Sequence, residues 1–193
     1  MVTKPLQEMS LEELWQLFPI ELKAPDQKYA AWYDAAKQNL LALLRDFHVT
    51  RISHIGSTAV PGLIAKPIVD ILLELPAGYD QHALTEYLTA AGWLLMNRQA
   101  DQELLDFNRG YTPAGFAGKV FHLHVKPAGD WGELYFRDYL IAHPDVAQEY
   151  AALKKRLKRE FEHNRDAYTA GKGEFVRRVT ELGRGEFAGR YLN

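Results

Sequence analysis

The most apolar stretch of the chain, Ile68-Val69-Asp70-Ile71-Leu72-Leu73-Glu74-Leu75, carries an aspartate within it, and that residue limits the possible folds more than any other. The run is far too short to cross a bilayer as a helix. It reads as part of a strand from Lys66 to Leu75, on which Ile68, Asp70, Leu72 and Glu74 share one face. A carboxylate among apolar neighbours is costly unless it meets a metal, a cation or water. The sheet must therefore bring Asp70 a partner.

The segment before this strand supplies a candidate ligand. Val49 to Ile55 reads as a strand running into a turn at Gly56-Ser57, followed by a glycine-punctuated loop to Lys66. Gly56 lets backbone approach a ligand with no β-carbon in the way. Ser57 and Thr58 place hydroxyls beside free backbone donors at a turn, a concavity suited to phosphate oxygens. Lys66 offers a compact positive charge. Further along, Phe121, Leu123 and Val125 alternate with His122, His124 and Lys126, the period of a strand with one apolar and one polar face. Across a sheet those histidines can reach Asp70 as metal ligands or substrate contacts; alternation alone equally allows neutral imidazoles on a half-exposed face. Glu74 is a secondary candidate ligand, or else an exposed acid near the strand end.

Helical signals flank this core. Ser10 and Glu13 form a capping box that opens a short helix ending before Pro19. Tyr29, Trp32, Ala36, Leu40, Leu43 and Phe47 make an apolar stripe over Asp26 to about Phe47. Asp80 caps a helix that stops at Gly92. Trp93–Asn97 and Glu103–Asn108 read as strands. Pro144 begins a helix with the stripe Val146, Tyr150, Leu153, Leu157 and Phe161, and a last helix covers roughly Glu174–Leu192. Helices, then strands with one inserted helix, then helices again indicate an α+β fold, a small mixed sheet packed on helices, in one domain over 1–193. Asn108-Arg109-Gly110-Tyr111-Thr112-Pro113 combines turn formers with an arginine and an aromatic, and either closes over a nucleotide or simply connects strands. Arg137, Lys172, Arg177 and Arg178 are candidates to reach a triphosphate, or are helix-surface charge.

Composition narrows the classes. The chain has no cysteine, which excludes disulfides and cysteine zinc sites and fits a reducing cytoplasm. The N-terminus lacks an apolar signal core, so export and membrane insertion are not expected. Residues 146–193 hold 11 Lys/Arg against 7 Asp/Glu, whereas the preceding body is acidic. That asymmetry is more often a solvated helix face than a nucleic-acid surface.

The wording HIGSTAVPGLIAKPIVDIL, the strand VFHLHV, LYFRDYLIAHPDVAQEYAALKKRL, and NRDAY with Lys172 and Phe175 together resemble the GrpB (UPF0157) family, over about Ile52 to Phe175. The resemblance implies a nucleotidyltransferase-like fold; a related domain is appended to dephospho-CoA kinase in some bacteria. By the same resemblance, Gly56 and Ser57 match the superfamily's nucleotide-phosphate turn, and Asp70 matches the first metal-binding carboxylate of its Asp-x-Asp or Asp-x-Glu pair. The second position is Leu72, and the strand expected to bring a third acid carries His122 and His124. A two-metal site would need closely placed bridging oxygens. One ion on Asp70 and the histidines is chemically more reasonable, with imidazole favouring zinc or manganese over magnesium.

The expected function is transfer of a nucleotidyl or phosphoryl group from a nucleoside triphosphate to a small acceptor. Gly56, Ser57, Thr58, Lys66 and Arg109 would bind the nucleotide, and Asp70 and Lys66 would act in catalysis. Asp70, His122, His124 and Glu74 would hold a divalent ion, Mg, Mn or Zn. The alternative is a nucleotide- or coenzyme-binding module with little turnover. Binding of RNA or protein through the basic C-terminal helices comes third.

Overall fold

The computed structural model describes residues 4–192; residues 1–3, where the polar N-terminal lead-in begins, and residue 193 lie outside the described residues. The chain opens with α1 (Leu11–Leu17), started by the expected capping box: Glu13 N donates to Ser10 Oγ at 3.2 Å and Ser10 N to Glu13 Oε2 at 2.7 Å. Next come α2 (Lys28–Leu43), β1 (Arg51–Ile55), β2 (Ile68–Leu75), α3 (Gln81–Ala90), β3 (Leu94–Gln99), β4 (Leu104–Thr112) and β5 (Gly115–Pro127). Four helices complete the chain: α4 (Gly132–Ala142), α5 (Pro144–Phe161), α6 (Arg165–Ala170) and α7 (Gly173–Glu186).

The strands form one five-stranded sheet in the order β1-β2-β5-β4-β3. β2 and β5 run parallel and the other neighbours antiparallel, so the sheet is mixed and the fold α+β as expected. The parallel pair is central, with the chain passing through α3, β3 and β4 between its two strands. Side-chain alternation divides the sheet cleanly. One face, carrying Val69, Ile71, Leu73, Phe121, Leu123, Val125, Leu105 and Phe107, packs on α2 and α3 through Leu40, Leu84 and Leu88 to make the main core. The other face carries Asp70, Leu72 and Glu74 on β2 and His122 and His124 on β5, towards α4–α7.

Several elements depart from the sequence reading. α4 was not expected, because Leu134, Tyr135, Phe136 and Leu140 are all buried and leave no single apolar stripe to recognise. Leu134 meets Ile55 and Leu72 on the sheet, Phe136 and Leu140 join the α5 side, and Tyr135 faces α7. There Gly183 allows close packing: a Cβ would stand 2.6 Å from the Tyr135 carbonyl oxygen. The last helix ends at Glu186 rather than near Leu192, with Phe187 as its cap. α6 is a short extra helix, opened by Asn164, whose side chain accepts from Ala167 N.

Candidate metal and phosphate site

Register places the chemistry. In the parallel pair Asp70 lies opposite His122, and Leu72 opposite His124; on the far side of β5, Asp106 lies opposite His124. His122 Nδ1 is 3.1 Å from Asp70 Oδ1, and His124 Nδ1 is 2.7 Å from Asp106 Oδ1. The second nitrogen of His122 meets the Tyr111 hydroxyl at 2.7 Å. Ligand-capable atoms of Asp70, His122 and His124 all lie within 4.8 Å of one another. Since Asp106 occupies Nδ1 of His124, Nε2 is the nitrogen left for the cluster, the carboxylate–imidazole arrangement that commonly orients metal-binding histidines.

The charges follow from these contacts. Burial works against the Asp70 carboxylate, but the bond to His122 and the nearby His124 and Lys66 outweigh it and hold its pKa below the usual value. His122 is pushed down, chiefly by burial, with Asp70 opposing. His124 is also penalised by burial, yet its bond to Asp106 and the charge of Asp70 carry it above the ordinary imidazole value.

The turn after β1 stands directly over Asp70. Gly56 has φ +70°, and a Cβ there would collide with Asp70 Oδ2, so the backbone approaches the carboxylate only because this residue is glycine. A 3-10 turn, Ser57–Ala59, follows. Ser57 Oγ accepts from Lys154 Nζ at 3.1 Å, and the same amine donates to the Ile64 carbonyl. Thr58 faces elsewhere: its hydroxyl donates to the Ile68 carbonyl at 3.0 Å and contacts His54 Nε2 at 3.0 Å. It braces the loop.

These groups open onto a cleft of about 740 Å³ between the sheet and α4–α7, lined among others by Gly56, Ser57, Lys66, Asp70, His122, His124, Lys154, Arg165 and Lys172. Four cations thus gather against few acids. Lys66 is pushed down to about 7, first by burial and then by Arg165 and Lys172. Lys154, 2% exposed, is pushed down to about 7 by burial and by Lys172 and Lys66. Lys172 is lowered as well, mainly by burial. Burial is the first cause in each case, and neighbouring cations add to it.

Other candidates from the sequence lie apart. Glu74 is fully buried rather than exposed, gripped by Arg51 (Nη2 at 2.6 Å) and Gly129 N at 3.1 Å, and it stands outside the metal-capable group. A partner on β1, unseen without the sheet order, consumes its charge. Arg109 lies opposite Phe121, hence on the α2 face of the sheet, with its guanidinium 5.8 Å from the Trp93 ring centre and outside the cleft. Arg137 donates to the His54 carbonyl and to Tyr191 Oη, both at 2.9 Å, tying α4 to β1 and the C-terminus. Arg177 and Arg178 are exposed, and Arg178 pairs with Glu149 at 3.4 Å. The sequence reading missed Asp106, Lys154 and Arg165 as site members, and named Tyr111 only within a segment that closes over a nucleotide or connects strands; the structure places that residue in β4. Lys154 had a signal, being a lysine set within the apolar stripe between Tyr150 and Leu157. So had Asp106, which alternates with Leu105 and Phe107 as the histidines do with their neighbours.

The donor set accommodates one divalent ion. Leu72, where the resemblance would place a second carboxylate, is fully buried against Ile55 and Leu134, and among the described residues Asp70 is the one carboxylate of the metal-capable group.

Comparison with known proteins agrees with this architecture. The profile of the family described as GrpB protein matches residues 19–182. A UPF0157 protein of Pseudomonas aeruginosa is 43% identical over 141 residues, 72% of this chain and 57% of its own, so the chain spans little more than half of that relative. The crystal structure of conserved protein GrpB from Enterococcus faecalis superposes with a TM-score of 0.76 at 23% identity, covering 86% of this chain and 99% of the other. The Cid1 poly(U) polymerase, in a structure with Mg 3'-dATP bound, is similar at a TM-score of 0.49 and 13% identity, over 77% of this chain and 46% of its own.

Proposed function

Taking as premise that the chain belongs to the GrpB family, we propose that its cleft binds a nucleoside triphosphate with one divalent ion and transfers a nucleotidyl or phosphoryl group to a small acceptor. One observation carries this reading: a carboxylate–imidazole cluster and four cationic side chains face a single cleft beneath a glycine turn. Asp70, Glu133 and Asp166 also line the cleft, yet among the described residues none of the four cations forms an ion pair within 4 Å.

In this reading each residue has a separate task. The backbone after Gly56 and the Ser57 hydroxyl hold phosphate oxygens. Lys66, Lys154, Arg165 and Lys172 neutralise the triphosphate, and being fixed before it arrives they need no rearrangement as charge develops. Asp70, His122 and His124 would hold the ion, whose chemistry is to withdraw charge from the attacked phosphorus. The acceptor oxygen bonds to phosphorus as the bond to the leaving group breaks, pyrophosphate in nucleotidyl transfer or the nucleoside diphosphate in phosphoryl transfer, and the hydroxyl proton passes to solvent. No covalent intermediate on the protein is required. Use of a triphosphate fits a cytoplasmic protein, and a cleft shared by β1, β2, β5 and the C-terminal helices fits one domain over 1–193.

A second reading, a nucleotide- or coenzyme-binding module without efficient chemistry, is favoured by the burial of Leu72 at the second carboxylate position. Calorimetry with ATP, GTP and CoA in the presence of Mg, Mn or Zn, on wild type and Asp70→Asn, separates the two, with release of pyrophosphate or nucleoside diphosphate followed by phosphorus NMR. Binding and turnover that both depend on Asp70 support the transferase. Asp70-dependent binding without turnover in any acceptor mixture supports the module, and no binding by wild type refutes both.

A further inference from the structure

Strand β4 breaks its alternation beside the candidate metal site. Asp106 and Asn108 lie opposite His124 and His122, and Arg109 opposite Phe121. Continued alternation would send Tyr111 to the Arg109 face. The pairing instead shifts between Arg109 and Tyr111, around Gly110, whose φ is +91° and where a Cβ would run into the Lys119 carbonyl. Irregularities of this sort re-aim side chains next to functional sites, and this one returns Tyr111 to the histidines. The ring is held between Phe18 and Phe116, with centroids at 4.9 and 5.2 Å. Its hydroxyl lies 2.7 Å from His122 Nε2, and Arg165 Nη2 donates to the same oxygen at 3.4 Å.

We propose that Tyr111 is the residue that positions His122 as an Nδ1 metal ligand: its hydroxyl accepts from Nε2–H, which leaves the Nδ1 lone pair beside Asp70 Oδ1, 3.1 Å away. The inference rests on the single-ion reading above. Two donor atoms each about 2.1 Å from a zinc ion, at angles between square and tetrahedral, stand about 3.0–3.4 Å apart, which is the separation found. Tyr111 thereby does for His122 what Asp106 does for His124, fixing which nitrogen carries the proton. When no ion is held the same hydroxyl donates to Nε2 while Nδ1–H donates to Asp70, because a phenol is both donor and acceptor. A carboxylate in its place would lack the donor role.

Zinc titration by calorimetry and histidine nitrogen NMR test this. Tyr111→Phe keeps the ring between Phe18 and Phe116 and removes only the oxygen; zinc affinity should fall about 10–100-fold, while the melting temperature without metal stays close to wild type. In zinc-loaded wild type, NMR should show His122 bound through Nδ1 with a proton on Nε2, a readout that does not depend on the variant folding. Zinc bound through His122 Nε2, or by Tyr111→Phe as tightly as by wild type, overturns the inference. If that happens while Asp70→Asn loses zinc, the metal site stands and only the role of Tyr111 falls; wild type that takes up no zinc overturns both.

Discussion

Replacing Lys154 with methionine should make the protein more stable at neutral pH and less stable at pH 10. Lys154 is 2% exposed, and its pKa is pushed from 10.5 down to about 7. The unfolded chain therefore binds a proton at this position throughout the window between about 7 and 10.5 while the folded chain does not. Stability then rises with pH across the window and is flat outside it, with a slope near 1.4 kcal/mol per pH unit for one fully linked lysine. Over the whole window that amounts to at most about 5 kcal/mol. Lys66, also held at about 7, adds a second contribution of the same sign. Tyr168, raised to about 12 by burial, destabilises only above its unfolded value near 10, beyond most of this range. Methionine removes the buried charge and forfeits the hydrogen bonds to Ser57 Oγ and the Ile64 carbonyl, each worth about 1 kcal/mol. The balance is a gain of roughly 2 kcal/mol near pH 7.5 and a loss of about 1 kcal/mol at pH 10. Urea unfolding at pH 7.5, 8.5, 9.5 and 10 reads this directly, as two stability curves that cross. Inorganic tripolyphosphate at about 100 times its dissociation constant should add about 2.7 kcal/mol to wild type at pH 7.5, and less to the variant at the same concentration. Parallel curves, or a variant less stable than wild type at every pH, would refute the argument that Lys154 is buried without a counter-charge and gives up its proton on folding.

Gly56→Ala should cost about 1–3 kcal/mol in urea unfolding, from its special backbone conformation and the contact with Asp70, and weaken zinc binding in the same titration. Arg51→Met leaves Glu74 buried with one remaining donor, Gly129 N; a loss of about 3 kcal/mol or more is expected, with zinc affinity unchanged if Glu74 is no ligand. Arg109→Ala should leave ATP affinity unchanged in calorimetry, because Arg109 lies on the far face of the sheet; a clear loss would put the phosphate site in the wrong place. Without phosphate, zinc should bind with a stoichiometry of one per chain, and a second tight equivalent would contradict the single-ion donor set.

What could be read from the sequence was local, and what was missed depended on pairing. The Ser10–Glu13 capping box, the Asp80 cap, the alternation of Phe121 to Lys126 and the helix beginning at Pro144 involve residues at most a few positions apart, and the structure has all four. Asp70 stood out for the same reason, as a carboxylate among apolar neighbours. Glu74 was misread because its partner, Arg51, is set by the antiparallel register of β1 on β2. Tyr111 stayed hidden because an irregularity at Gly110 reverses the face that simple alternation assigns. α4 escaped because burial on several sides erases helical periodicity, although α5 and α7, which expose one face, kept theirs. Lys154 was legible in principle, since an apolar stripe seldom admits a lysine without something for it to meet.

The histidines stand beside the position where the resemblance would place a second carboxylate, not in it. The parallel pairing of β2 and β5 fixes His122 next to Asp70 and His124 next to Leu72, so an acid at 72 would have been His124's neighbour. Leu72 instead closes the floor with Ile55 and Leu134, where burying its side chain is worth about 1.5–3 kcal/mol. A carboxylate in that apolar wall would need a cation on its own side to offset its desolvation. Two neutral imidazoles and one carboxylate carry a single negative charge toward any bound metal, with Lys66, Lys154, Arg165 and Lys172 already opposing further positive charge from the other side of the cleft. One divalent ion is tolerable there because Asp70 and two imidazole lone pairs face it. A second ion, about 3.5–4 Å from the first in centres that use two, would have to share Asp70, the one carboxylate of the metal-capable group among the described residues, and would feel the same cations. Any second ion must therefore bring its negative charge with it, as phosphate oxygens. If a nucleotide binds here as proposed, its binding and that of a second metal would be one event rather than two.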